Sequence, residues 1–199
     1  MMSLLAVGVA VACTPRPPVF APLAVTETPG ARDVVVHVRP IDTRLGSEDR
    51  RQYGVDIGAY FSAFFVSVEN RTAHDLAVDL KPSTLGAASG PVSEVLSDDD
   101  LVRTYRRGGM DEKAVELVAK APAVVKRELE QLRAARMPAT QLGIGGRVEG
   151  VLYFRPPTTP DCAQTVLTIR GIEILDEPQS LEFQFPMDPC GAGPREARP

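Results

Sequence analysis

The chain contains no tryptophan, seven phenylalanines, four tyrosines, two histidines and three cysteines in 199 residues. So few aromatics leave little material for a platform on which sugars or bases could stack. His37 and His74 have no Cys/His cluster around them, and a zinc site takes three or four protein ligands; no metal and no cofactor is expected. A basic excess is also missing. Lys and Arg total 22 against 26 Asp and Glu, for a net charge of −4, and the basic footprint of a nucleic-acid-binding protein is absent. No apolar run reaches the ~20 residues of a membrane-spanning helix.

One apolar run does stand out. It extends from Leu4 through Ala12 and closes on small residues at Cys13. Its length suits the h-region of a secretory signal, roughly 7–15 residues. The arrangement resembles a bacterial lipoprotein signal, in which the peptidase cuts before a cysteine that then carries lipid. That resemblance implies residues 1–12 as signal peptide, Cys13 as the lipidation site and a membrane contact through the anchor. Ala10 occupies the place where such signals usually carry Leu, Ile or Val, and Met1, Met2 and Ser3 bring no positive charge. The alternative is a secreted chain cut after Ala10 or Ala12. Thr14 after the cysteine, rather than Asp, fits sorting to the outer membrane in families that use that rule.

Export in turn sorts the other cysteines. Cys162 and Cys190 form an even pair, and in an oxidising compartment such a pair reads as a disulfide. A loop of that size contributes roughly 3–4 kcal/mol in the chain-entropy description. The alternative is two separate thiols.

Residues 13–32 are proline-rich, with Pro15, Pro17, Pro18, Pro22 and Pro29. They read as an extended tether. Residues 189–199 read as a disordered tail. Between the two, alternation dominates. Val34, Val36 and Val38 share one face, as do Phe64, Val66 and Val68. Phe61 and Phe65 make the second face of that strand apolar as well, which predicts a central strand covered on both sides. Leu76 to Leu80, Val92 to Leu96, Val148 to Phe154, Thr165 to Ile174 and Leu181 to Phe185 complete about seven short strands. They predict a mostly β domain over 33–188, an antiparallel sandwich.

A helical insertion is predicted at about 97–137. Ser97 and Asp100 resemble a capping box, and Gly108-Gly109 ends the first helix. Pro122 divides the remainder near Ala121. The narrow apolar stripe of this block predicts that it lies on the sheets rather than inside them. Arg103, Arg106, Arg107, Lys126 and Arg127 make it locally basic, a candidate surface for an acidic partner or anionic lipid. A solvated face, balanced by Glu128 and Glu130, is the plainer alternative.

The stretch Val66-Ser67-Val68-Glu69-Asn70-Arg71-Thr72, followed by Leu76-Ala77-Val78, resembles the Ig-like domains of bacterial envelope lipoproteins. Gly146 to Phe154 is similar to a later strand of those domains. The resemblance implies an Ig-like sandwich and a binding or assembly role with an envelope protein as partner, without a shared chemistry. No catalytic set is legible: Cys162 with His74 lacks any spacing that joins them, Asp98-Asp99-Asp100 lacks the pattern of a calcium loop, and Gly143-Ile144-Gly145-Gly146 precedes a strand as a turn does. A hydrolase whose site is assembled from scattered residues is the alternative.

Overall fold

A computed structural model describes residues 24–25, 33–42, 47–87, 92–108, 120–156, 165–177 and 179–187. The fold is mostly β and its sheets are antiparallel. In chain order the strands are β1 (Ala24–Val25), β2 (Val34–Pro40), β3 (Ser62–Asn70), β4 (Leu76–Val78), β5 (Thr84–Ala87), β6 (Val92–Glu94), β7 (Thr140–Leu142), β8 (Arg147–Phe154), β9 (Thr165–Ile174) and β10 (Gln179–Met187). The helices are α1 (Glu48–Tyr53), α2 (Asp98–Gly108) and α3 (Pro122–Ala135), with a 3-10 turn at Ile57–Ala59. None of these helices is long and apolar enough to cross a membrane.

The strands divide into two sheets. One has three strands in the order β2-β3-β8. The other runs β1-β10-β9-β4-β7, and β9 also pairs with β5, which pairs with β6. Val34, Val36, Val38, Phe64, Val66, Val68, Leu152 and Phe154 of the small sheet join Leu76, Leu167, Ile169, Ile172, Leu181, Phe183 and Phe185 of the large one in a single core. The period-2 alternation of these strands puts those side chains on one face.

The small sheet has a second core on its other face. Phe61, Ala63, Val151 and Tyr153 meet Leu101 and Tyr105 of α2, Leu129 and Leu132 of α3, and Tyr53 of α1. The helices therefore lie on the outer face of the small sheet; β3 is central, as its sequence predicts, and its second face is covered by them from Ala63 to Phe65 rather than along its whole length. Tyr153 is 1% exposed and donates its hydroxyl to Leu132 O at 3.1 Å.

The helix ends follow their local chemistry. Asp100 N–H donates to Ser97 Oγ at 3.1 Å, and Ser97 Oγ donates back to Asp100 Oδ2 at 2.7 Å, a reciprocal cap. Pro122 opens α3 at its first turn, where a missing N–H costs nothing. Ser47 caps α1, which stops at Gly54 with φ 64°.

One polar device joins the two sheets, and another steadies a bulge within the large one. Asn70 is fully buried where β3 ends. Its amide nitrogen donates to the carbonyls of His74 (2.8 Å), Leu142 (3.0 Å) and Gly143 (3.1 Å), and its Oδ1 accepts from Thr72 N and Oγ1. It thus ties the small sheet to β4 and β7 of the large one. In β9, Arg170 and Gly171 oppose the single residue Glu182, a bulge whose register shifts between Leu181 and Phe183. Gly171 takes φ 81° there. Ser83, fully buried, accepts from Arg170 N at 3.0 Å and steadies the bulge.

Ala24–Val25, inside the stretch expected to be a tether, pairs with Gln184 and Phe183 of β10. Cys13, Cys162, Cys190 and the expected tail at 189–199 lie outside the described residues, as do 109–119 between α2 and α3.

Candidate functional site

The basic residues singled out from the sequence do not act as one free patch. Arg103 donates to Asp100 at 2.8 Å, and Lys126 stands 4.0 Å from Glu130. Arg106, Arg107 and Arg127 are exposed and make no ion pair among the described residues. The acidic start of α2 is also engaged: Asp98 pairs with Arg136 and Asp100 with Arg155. Glu128, read as part of a solvated face, is instead buried. It accepts from the Tyr105 hydroxyl and from Lys120 Nζ at 2.6 Å. The Lys120 ammonium lies 5.2 Å from the Tyr60 ring centroid and 5.5 Å from that of Tyr105, a cation–π geometry.

The charges of this cluster hold one another. Burial alone raises Glu128, but hydrogen bonds from Lys120 and Tyr105 outweigh it and keep the carboxyl below its ordinary value. Burial, reinforced by the hydrogen bond to Glu128, pushes Tyr105 up to about 12. The folded state thus favours the neutral phenol. Its contribution is complete below the ordinary tyrosine value near ~10 and is lost as pH rises from there through about 12. Tyr105→Phe should therefore flatten the fall in stability between about pH 10 and 12 relative to the parent chain. Urea unfolding at stepped alkaline pH reads this directly; equal slopes would show that Tyr105 titrates as it does in the unfolded chain.

The helices cover only part of the outer face of the small sheet. Past Phe65, that face carries His37 and Arg39 on β2, Ser67 and Glu69 on β3, and Arg147 and Glu149 on β8. The register sets His37 and Glu149 on either side of Ser67. His37, Val38, Arg39, Phe65, Ser67 and Arg147 line a pit of about 210 Å³. Ser67, short between longer neighbours, lies at its floor. It is 1% exposed, and its Oγ has no hydrogen-bond partner among the described residues. A buried hydroxyl left unbonded costs about 1–3 kcal/mol.

Two arginines flank the pit, each paired with a carboxylate, and they differ in rigidity. Arg39 holds Asp49 with two bonds of 2.6 Å, and its guanidinium sits 4.9 Å over the Phe65 ring. Asp49 is buried and also accepts from Asp42 N at 2.8 Å. The hydrogen bond to Asp49, helped by its charge against the cost of burial, raises Arg39 above its ordinary value. Arg147 is looser: it meets Glu149 at 3.0 Å with both side chains 55% exposed, and such a surface pair contributes about 0–1 kcal/mol.

The row Glu149–Ser67–His37 brings together residue types used in nucleophilic catalysis, but not the geometry. An activated serine needs a base within hydrogen-bond reach. Ser67 Oγ makes no bond to His37, and Glu149 is spent on Arg147 rather than on the imidazole. His74 is half-buried and faces Asp176 at 3.2 Å. Among the described residues no group of three His, Cys, Asp or Glu is placed to hold a metal ion.

Sequence reading missed the pit. Its signal was a serine on the outer face of a strand already read as covered on both sides, in line with Phe65. No protein-family model, curated protein or solved structure matches the chain.

Proposed function

We propose that this chain is a lipid-anchored cell-envelope protein whose β domain, an Ig-like sandwich, serves as a non-catalytic binding or assembly module. The observation that carries the binding role is the pit over Ser67. A helix layer closes one half of the small sheet and leaves the other half open, where His37, Arg39, Phe65 and Arg147 line a pit above the buried Ser67. Such a concave place with a few convergent polar groups is where a partner is recognised. The apolar run closing on Cys13 supports the envelope location, on the periplasmic face of the outer membrane. The proline-rich stretch behind it supports a domain held off the lipid surface. Arg106, Arg107, Lys126 and Arg127, on exposed helix faces, support a protein partner with acidic character.

Cys13 is the place to test the anchor. When the full chain is made in a bacterial host fed labelled palmitate, the parent protein should take up label and Cys13→Ala should lose it. Equal labelling of the two rejects the anchor.

A further inference from the structure

We propose that copies of this chain associate head to tail, the acidic loop end of the large sheet in one copy docking on the basic face of α2 and α3 in the next. The inference rests on the reading of the chain as an assembly module and gives its basic helix face a partner, a second copy. Register builds the loop end. Leu142, Leu76 and Ile174 stand in one row across β7, β4 and β9. Residues 143–146, 74–75 and 175–177 therefore lie at the same end of the sheet, on strands spaced about 4.8 Å apart. These loops are braced. Asn70 bonds the carbonyls of His74 and Gly143, Gly145 N donates to Asn70 O at 2.8 Å, and Leu175 N donates to Asp75 O at 3.0 Å. Ile144 and Leu175 are 66% and 46% exposed there, among Asp75, Glu173, Asp176 and Glu177. Asp75, Glu173 and Glu177 make no ion pair among the described residues. Arg71 is spent on Glu69, and His74 faces Asp176.

The receiving face has the opposite sign. α2 and α3 run antiparallel, since Asp98 meets Arg136 at one end and Tyr105 meets Glu128 at the other. Arg106 and Arg107, in the last turn of α2, thus come beside Lys126 and Arg127 in the first half of α3. Arg106, Arg107 and Arg127 hold no carboxylate among the described residues, and Lys126 stands 4.0 Å from Glu130. The aliphatic stems of these side chains offer cover for Ile144 and Leu175, while their charged heads reach the surrounding carboxylates. Both signs belong to a chain whose net charge is only −4, so repulsion between whole copies is weak against the local match. The two faces differ, so the contact is heterologous and continues from copy to copy instead of closing as a two-fold dimer. A few side chains on each face fall short of the ~800 Å² per partner of a standard interface. The contact therefore forms at high concentration, which anchoring every copy in one membrane plane supplies.

Sedimentation equilibrium of the full chain carrying Cys13→Ala tests this contact with no lipid taking part. At ~20 mM salt the average mass should rise with concentration beyond two chains, and at ~0.5 M salt it should return to the 21.4 kDa of one. Arg106→Gln with Arg127→Gln neutralises the helix face, and Asp75→Asn with Asp176→Asn neutralises the loop end. All four side chains are exposed, so both variants should keep the parent Tm. Each alone should associate about tenfold more weakly than the parent. An equimolar mixture of the two contains one intact end and one intact face, and it should recover an association that stops at the pair. A parent that stays a single chain up to ~1 mM overturns the proposal. So does a parent that stops at a dimer, an association unchanged in either variant, or a mixture that does no better than its components. A glutamate-rich peptide separates this failure from that of the underlying reading. Peptide bound by a parent that stays single, and lost in the arginine variant, gives the helix face to a different acidic partner and overturns self-association alone. Neither association nor peptide binding overturns both.

Discussion

Asn70→Asp is expected to lower the unfolding free energy by about 3–5 kcal/mol, although it changes a single NH2 group to oxygen. Asn70 is fully buried, and its amide nitrogen faces the carbonyls of His74, Leu142 and Gly143 at 2.8 to 3.1 Å. An aspartate puts an acceptor, charged at neutral pH, against three acceptors. Each buried group left unsatisfied costs about 1–3 kcal/mol, more where charge is involved. The contacts join β3 to β4 and to the turn after β7, so the loss falls where the two sheets are tied. The sign of the pH dependence follows. Burial among carbonyls disfavours the carboxylate, so the introduced group has a folded-state value above its ordinary ~3.9, and the deficit shrinks as pH falls through that raised value. Urea unfolding at pH 7 and pH 4.5 checks both parts. A loss under 1 kcal/mol at pH 7 would show that the sheets are held without this amide.

Gly171→Ala carries the second large effect, a loss of about 3 kcal/mol or more. At φ 81° an L side chain is strained, and a Cβ built there would stand 1.9 Å from the carbonyl oxygen of Asp79. The same backbone contact includes the bond from Asp79 N to Gly171 O at 2.8 Å. The bulge must open, and β9 lies between β10 and the β4–β5 side of the large sheet. Gly145 separates the two causes. It has φ 71°, and nothing lies within 4 Å of its absent Cβ. Gly145→Ala should therefore cost only the dihedral strain, about 1 kcal/mol. Thermal unfolding of the two variants side by side decides it: equal losses would mean that the approach of Asp79 is relieved at no cost.

The strands were the most legible part of the chain. Thr165–Ile174 is one strand, as its β-branched pattern predicts, and the two apolar faces of Phe61 to Val68 mark β3 as the centre of its sheet. The pattern is readable because burial on each face of a strand depends on alternate residues alone. The caps were legible for the same local reason, since Ser97 and Pro122 act on the turn that follows them. The short elements were not. Thr84–Ala87 and Thr140–Leu142 have too few residues to show a period, and they are strands because β9 and β4 offer them partners. Ala24–Val25 sits in a proline-rich stretch and is a strand because β10 offers it a partner.

The candidate site divides along the same line. Glu128 looked like a surface charge because it stands among Lys126, Arg127 and Glu130 in the sequence; it is buried because its place on α3 brings it to Tyr105 and Lys120. Ser67 looked like an unremarkable strand serine.

By itself, the sequence determined the mostly β character, the central place of β3, the helix start at Ser97 and the break at Pro122. These rest on side-chain periodicity and on hydrogen bonds between near neighbours, which the chain carries wherever it goes. Only the tertiary structure decided which half of the small sheet the helices cover, that Glu128 is enclosed, and that Ser67 lies unbonded between His37 and Glu149. Those outcomes depend on register and on layers packed from residues far apart in the chain, and the residues themselves record neither.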